Sequence, residues 1–175
     1  MREISLHILD MVQNSIEAGA TKVELVIDED RSADLLSVTV SDNGRGMDED
    51  YIQRVLDPFV TSRKTRRVGL GLPLIAATAE RCAGRLTIES TKGEGTRVKV
   101  TFQLSHIDRP PLGDMKSTLL SIVVGRSDID LHYVHIGDGR RFEFDTAEIK
   151  RVLGDVPLSD PEVLHWLDEY LDQDI

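Results

Sequence analysis

Two alternating apolar runs stand next to each other at residues 21–28, TKVELVID, and 34–42, DLLSVTVSD, joined only by the acidic connection EDRSA. Side chains of a strand point alternately to opposite faces, so each run has one apolar and one polar face. A connection this short permits only an antiparallel hairpin, and a lone hairpin needs a layer packed on its apolar face. The preceding residues offer that layer. In ISLHILDMVQNSIEA, Ile4, Ile8, Met11, Val12 and Ile16 recur at helical spacing, with Ser5 expected to help start the helix and Gly19 to end it. Glu3, His7, Asp10, Asn14 and Glu17 fall on the opposite side, which reads as a polar face.

The alternation of elements continues downstream. A short helix is expected over 48–56, then the loop DPFVTSRKTRRV, then a glycine-started helix in GLGLPLIAATAERCAG. RLTIES and TRVKVTFQL read as two further strands joined by TKGEG. The order helix, two strands, helix, loop, helix, two strands predicts an α+β fold, a two-layer sandwich with helices on one face of a mainly antiparallel sheet. Adjacent prolines in SHIDRPPLGD interrupt regular structure, which divides the chain into a first domain, 1–105, and a small α/β extension, 106–175. The extension reads as a helix over 115–124, the hairpin IDLHYVHIGDGRRFEFD, and helices starting at Thr146 and Pro161. It is too small for a substantial core of its own and is expected to dock on the first domain or on a partner, with Trp166 packed inside it.

A formal charge of −10 over 175 residues argues against a nucleic-acid scaffold, which needs a dominant basic surface. No apolar run suits a membrane span or signal peptide, so the expectation is a cytoplasmic protein with neither nucleic acid nor membrane as partner. The single cysteine, Cys82, reads as a helix-packing thiol.

Four stretches carry chemistry beyond a plain fold. On the polar helix face, Asp10 lies one turn before Asn14, whose amide oxygen suits Mg²⁺ while the carboxylate is placed to orient or deprotonate a nearby water. DNGRGM follows the second strand, so Asp42 can accept from an exocyclic amine while Gly44 and Gly46 admit a flat ring close to the backbone. VGLGL opens a helix, where backbone N–H groups form an anion site, and the basic SRKTRR directly precedes it. Thr96, at the start of the last strand of this half, brings a hydroxyl able to bond a base.

Together ILDMVQNSIEAGAT, DNGRGM, DPFVTSRKT with VGLGL, and GEGT resemble the asparagine box, the first glycine box, the phenylalanine and second glycine boxes and the final Gly-Thr of the Bergerat-fold ATPases. That superfamily includes DNA gyrase, Hsp-type chaperones, histidine kinases and MutL, and the resemblance covers residues 3 to 104. It implies ATP and Mg²⁺ as cofactors, with Asn14 holding the metal, Asp42 reading the adenine amino group and Gly46 contacting adenine through water. It further implies that Ala18 and Met47 pack on the base and that Thr96 shares its hydrogen bonds. Gly69 and Gly71, with the amides of Leu70 and Leu72, would cradle the triphosphate, and Lys64 would contact phosphate. Asp10 stands where many hydrolysing members carry glutamate, which implies slower or absent water activation, and the segment from Phe59 to Gly69 is a short lid, which implies partial closure and modest affinity.

The short lid and GLGLPL resemble histidine kinases and anti-sigma-factor kinases. With no transducer domain after the motifs and no phosphoacceptor helix before them, the expectation is a stand-alone regulatory protein that passes phosphoryl to a protein partner. A nucleotide sensor without turnover and an independent slow ATPase stand as alternatives. With its tail, the chain also resembles stand-alone ATP-binding proteins of anaerobic bacteria associated with iron-hydrogenase gene clusters, and that resemblance implies a redox or hydrogenase-related partner. HIDRPP faintly resembles the phosphoacceptor motif of histidine kinases but lies after the motifs and lacks its acidic residue, so no histidine phosphorylation is expected at His106. His7 is expected at the solvent or the lid, and His132 and His135 have no metal-ligand spacing.

Overall fold

The computed structural model describes residues 3–57, 71–126 and 128–175. In chain order these form α1 (Ile4–Glu17), β1 (Lys22–Asp30), β2 (Leu35–Asp42), α2 (Glu49–Val55), α3 (Gly71–Arg81), β3 (Leu86–Thr91), β4 (Gly95–Gln103), α4 (Met115–Gly125), β5 (Asp130–Gly137), β6 (Arg140–Asp145), α5 (Thr146–Leu153) and α6 (Pro161–Leu171). One mixed sheet runs through the molecule in the order β3-β4-β2-β1-β5-β6. β1 and β2 form the antiparallel hairpin that the alternation requires, Val26 opposite Thr39. The architecture is α+β, with helices layered on the sheet as the motif order implies.

Burial follows the strand period. Leu25 and Ile27 of β1, Val38 and Val40 of β2, and Val98, Val100 and Phe102 of β4 are buried, while the residues between them are partly or largely exposed. Ile4, Ile8, Met11, Val12 and Ile16 of α1 and Leu72, Ile75 and Ala79 of α3 join the same core. Cys82 is fully buried there, and burial pushes its thiol pKa up, consistent with an inert packing group.

The sheet does not stop at the proline boundary. β5 pairs in parallel with β1, placing Val23 beside Leu131 and Ile27 beside His135, and β6 then adds antiparallel to β5. Leu119, Ile122, Leu131, Tyr133 and Phe144 of the extension belong to the core cluster shared with α1. The linker itself is structural. Pro111 and Leu112 accept hydrogen bonds at their carbonyls from the N–H groups of Ile4 and Ser5, at 3.0 and 2.8 Å. These are orphan donors of a first helical turn. Ser5 therefore does not start α1: Glu3 makes no side-chain cap, and backbone some 107 positions downstream replaces one. The extension's helices use local caps instead, with Asp114, Asp145 and Asp160 each accepting from a backbone N–H in the first turn.

Two expectations about side chains change. His7 is not at the solvent: it is 4% exposed, since the buried stripe of α1 is wide enough to include Ser5, His7 and Ser15, while the lid, its other expected neighbour, lies outside the described residues. Trp166 is not packed inside the extension but 48% exposed, because Val163, Leu167 and Leu171 form the buried stripe of α6 and leave Trp166 on its flank, stacked on Tyr170.

Candidate functional site

The turn after β2 is held from three sides. Asp42 ends β2 opposite Thr96 of β4, so both side chains point to the helical face of the sheet. There the Ser15 hydroxyl of α1 donates to Asp42 Oδ2 at 2.6 Å, and the Gly44 N–H donates to Oδ1 at 2.8 Å. Asn43 points the other way: its Oδ1 accepts from the Thr21 and Lys22 N–H groups, both at 2.9 Å, and its Nδ2 donates to the Thr21 hydroxyl. The Arg45 N–H donates to the Ala18 carbonyl at 2.9 Å, and a Cβ added at Gly44 would lie 2.9 Å from Ala18 Cβ. The end of α1 and the glycine turn thus form one wall.

The opposite wall is a hydroxyl relay. Ser90 Oγ accepts from the Met47 N–H at 2.8 Å, lies 2.8 Å from Thr96 Oγ1 and donates to the Gly95 carbonyl at 3.0 Å. Gly46 has φ +72°, and a Cβ there would run into the carbonyl of Thr91. Only glycine lets the turn lie against the β3–β4 connection.

Asp10 and Asn14 are half-buried on the remaining side of α1. A Cβ built on Gly71 would lie 3.5 Å from Asp10 Cβ and 3.8 Å from its Oδ2, so the carboxylate rests against the first turn of α3. The first turn of an α-helix carries backbone N–H groups with no partner inside the helix, and Leu72 anchors this turn by burying its side chain. An anion at these amides would share space with a carboxylate, an arrangement that a divalent cation between them makes favourable. Lys64, Gly69 and Leu70 lie outside the described residues.

The structure therefore brings together Asp42, Gly44, Ala18, Gly46, Met47 and Thr96 in one cleft, and sets Asp10 against Gly71, with Asn14 one turn further along α1 and Leu72 buried beneath the start of α3. Sequence reasoning missed Ser15 and Ser90, which position Asp42 and Thr96. A serine on the apolar stripe of an amphipathic helix is the one signal that pointed to Ser15. His106 is excluded from the cleft by distance. It follows Gln103, at the far end of β4 from Thr96, and the seven residue steps of strand from Thr96 to Gln103 span about 23 Å. Its Nδ1 accepts from the Asp108 N–H within a turn.

Among the described residues, no helix is long and apolar enough to cross a membrane, and no group of three His, Cys, Asp or Glu is arranged as a metal centre. The chain is 32% identical over 117 residues to a non-motile and phage-resistance protein of Caulobacter vibrioides, covering 62% of this chain and 14% of that protein. It is 32% identical over 97 residues to sporulation kinase A of Bacillus subtilis, covering 54% and 15%. The chain thus spans under a fifth of the length of these relatives. A solved structure of the N-terminal domain of a DNA repair protein superposes with a TM-score of 0.56 at 15% identity, over 82% of this chain and 52% of that one, a likeness of fold. The model of the histidine kinase-, DNA gyrase B- and HSP90-like ATPases matches residues 2–106, the stretch that contains Asp42 and the described residues grouped around it, and the chain belongs to that family.

Proposed function

We propose that the chain binds Mg-ATP in this cleft and works in the cytoplasm as a stand-alone regulatory protein of histidine-kinase type, transferring phosphoryl to a protein partner. The observation that carries the reading is Asp42. Its two oxygens are fixed by Ser15 and Gly44, yet a carboxylate has about four acceptor sites, so capacity remains for an amine in the cleft. An acceptor-only group selects adenine, which offers an amino group, over guanine, which places a carbonyl at the same ring position.

In this reading Ala18 and Met47 flank the base, Gly44 and Gly46 let it approach the backbone, and Thr96 adds a hydroxyl. Asn14 holds Mg²⁺, whose role is to neutralise phosphate charge. Lys64 and the amides of Gly69, Leu70, Gly71 and Leu72 receive the phosphates. Asp10 is left to orient or deprotonate the acceptor. Phosphoryl transfer is mainly positioning and charge neutralisation, so the acceptor can come from the partner. The likeness to a sporulation kinase supports this over independent hydrolysis. The shorter Asp10 side chain favours a second reading, a nucleotide sensor with negligible turnover.

Calorimetry with ATP and GTP tests the site. ATP should bind with Mg²⁺ and GTP at least about tenfold more weakly, and Asp42→Ala should cost about 1 to 3 kcal/mol of ATP binding. Equal affinity for the two nucleotides would remove Asp42 from the assignment. Single-turnover assays with labelled ATP, with and without candidate partners, separate transfer from sensing.

A further inference from the structure

The extension carries a second surface that the nucleotide cleft does not use. Between α5, α6 and β6 lies an open groove of about 610 Å³. Its floor is apolar, formed by Ile149, Val152, Leu153 and Trp166 among others, and Val152 is 88% exposed beside a half-exposed Trp166. Apolar side chains left this open and adjacent mark an interaction surface, and tryptophan is the residue most enriched at energetic centres of interfaces.

The groove's lining is acidic: Glu143, Asp145, Glu148 and Glu162 line it and, among the described residues, no lysine or arginine does. Glu143 is already paired with His132 at 2.6 Å, and Glu148 makes only a long, exposed contact of 4.0 Å with Arg151, so Glu148 and Glu162 are the carboxylates left to meet a cationic partner. The wider distribution agrees: residues 106–175 hold 15 Asp and Glu against 7 Lys and Arg, a net −8, whereas residues 1–105 hold 16 against 14, a net −2. Most of the −10 therefore sits on the extension, where it steers a cationic partner. The geometry also selects the partner's conformation. Adding a strand to the outer edge of β6 would require its backbone acceptors, but the Tyr170 hydroxyl already donates to the Glu143 carbonyl at 2.7 Å in the middle of that strand. A trough between two helices instead accepts side chains projecting at i, i+4 and i+7 from a third.

We propose that this groove docks a basic amphipathic helix of a partner protein, its apolar stripe on Val152 and Trp166 and its lysines or arginines against the acidic rim. The proposal is independent of how the nucleotide cleft is assigned.

Trp166 is the only tryptophan, so its emission reads the groove directly. The probe is a synthetic helical peptide with leucine at i, i+4 and i+7 and lysine elsewhere, titrated into the full chain, beside the same peptide with glutamate for lysine. The lysine peptide should give a saturable blue shift and the glutamate peptide an affinity lower by about tenfold or more. Val152→Asp should weaken the lysine peptide by a similar factor. Since Val152 is almost fully exposed, its replacement should leave the circular dichroism spectrum unchanged. In the double variant Glu148→Lys, Glu162→Lys the preference between the peptides should reverse. Equal binding of both peptides, or unchanged binding in Val152→Asp, would overturn the proposal. So would concentration-dependent self-association that Val152→Asp abolishes, which would make the occupant a second copy of the chain.

Discussion

At Gly46 two constraints coincide, a left-handed φ of +72° and a backbone carbonyl where a side chain would begin. Gly93, at φ +85°, has the first constraint and open space in place of the second. Gly93→Ala should therefore lose only the conformational term, about 1 kcal/mol, whereas Gly46→Ala adds overpacking of about 1 to 3 kcal/mol and displaces Met47 from Ser90. Urea unfolding of the two variants compares them, and equal losses would show that the turn is free to move. Asp10 and Asn14 call for a different comparison, because their predicted effects fall on different quantities. If Asp10 handles a proton, Asp10→Asn keeps Mg-ATP affinity while lowering turnover about a hundredfold or more, and Asn14→Ala weakens Mg-ATP binding itself. A titration and a phosphate-release assay read the two effects, and unchanged binding in Asn14→Ala would undo the metal assignment.

At the scale of elements, β5 is tied to its neighbours by two histidines that face carboxylates, His132 and His135. His135 is 1% exposed, its Nε2 lies 2.7 Å from Glu29 Oε2 on β1, and its Nδ1 lies 2.8 Å from Asp174 Oδ1 beyond α6. Both ring nitrogens face carboxylates, an arrangement that favours the doubly protonated imidazolium. Burial alone would lower its pKa, but hydrogen bonds and charge from Asp174 and Glu29 outweigh that and raise it. Tyr133, whose hydroxyl also donates to Asp174, is likewise pushed up, first by burial, and stays neutral. A raised folded pKa means the contribution is complete below about 6.5, the unfolded value, and is lost as pH climbs through the folded value. His135→Gln should cost about 2 to 3 kcal/mol at pH 6, less than a fully enclosed pair because Glu29 is 31% exposed, and clearly less at pH 9. A loss independent of pH would show that the ring acts by packing alone.

What the sequence made legible divides along the same line. Local periodicity located α1, both early strands and the hairpin of β5 and β6, because each is written in adjacent residues. The parallel pairing of β1 with β5 left no local trace: its partners are about a hundred residues apart, and a parallel neighbour demands no particular turn. For the same reason the carbonyls of Pro111 and Leu112 could not be foreseen as the cap of α1, nor Ser90 as the link between Met47 and Thr96.

For the molecule as a whole, the question is whether the segment matched by the ATPase family, residues 2–106, is also the unit that folds. Ending the chain at Ser105 removes β5, so β1 changes from an interior strand to an edge with unpaired backbone groups. It also removes Leu119, Ile122, Leu131 and Tyr133 from the core and the carbonyls that cap α1. The shortened chain loses net charge as well, from −10 to −2, and with it the repulsion that opposes association through the new edge. The full chain should unfold in a single transition, because its one sheet and one core offer no plane of separation between the halves. Residues 1–105 alone should unfold at markedly lower urea and sediment as larger species at micromolar concentration. Two resolved transitions in the full chain, with the second matching the isolated fragment, would show instead that the extension is a separable addition to a self-sufficient ATPase fold.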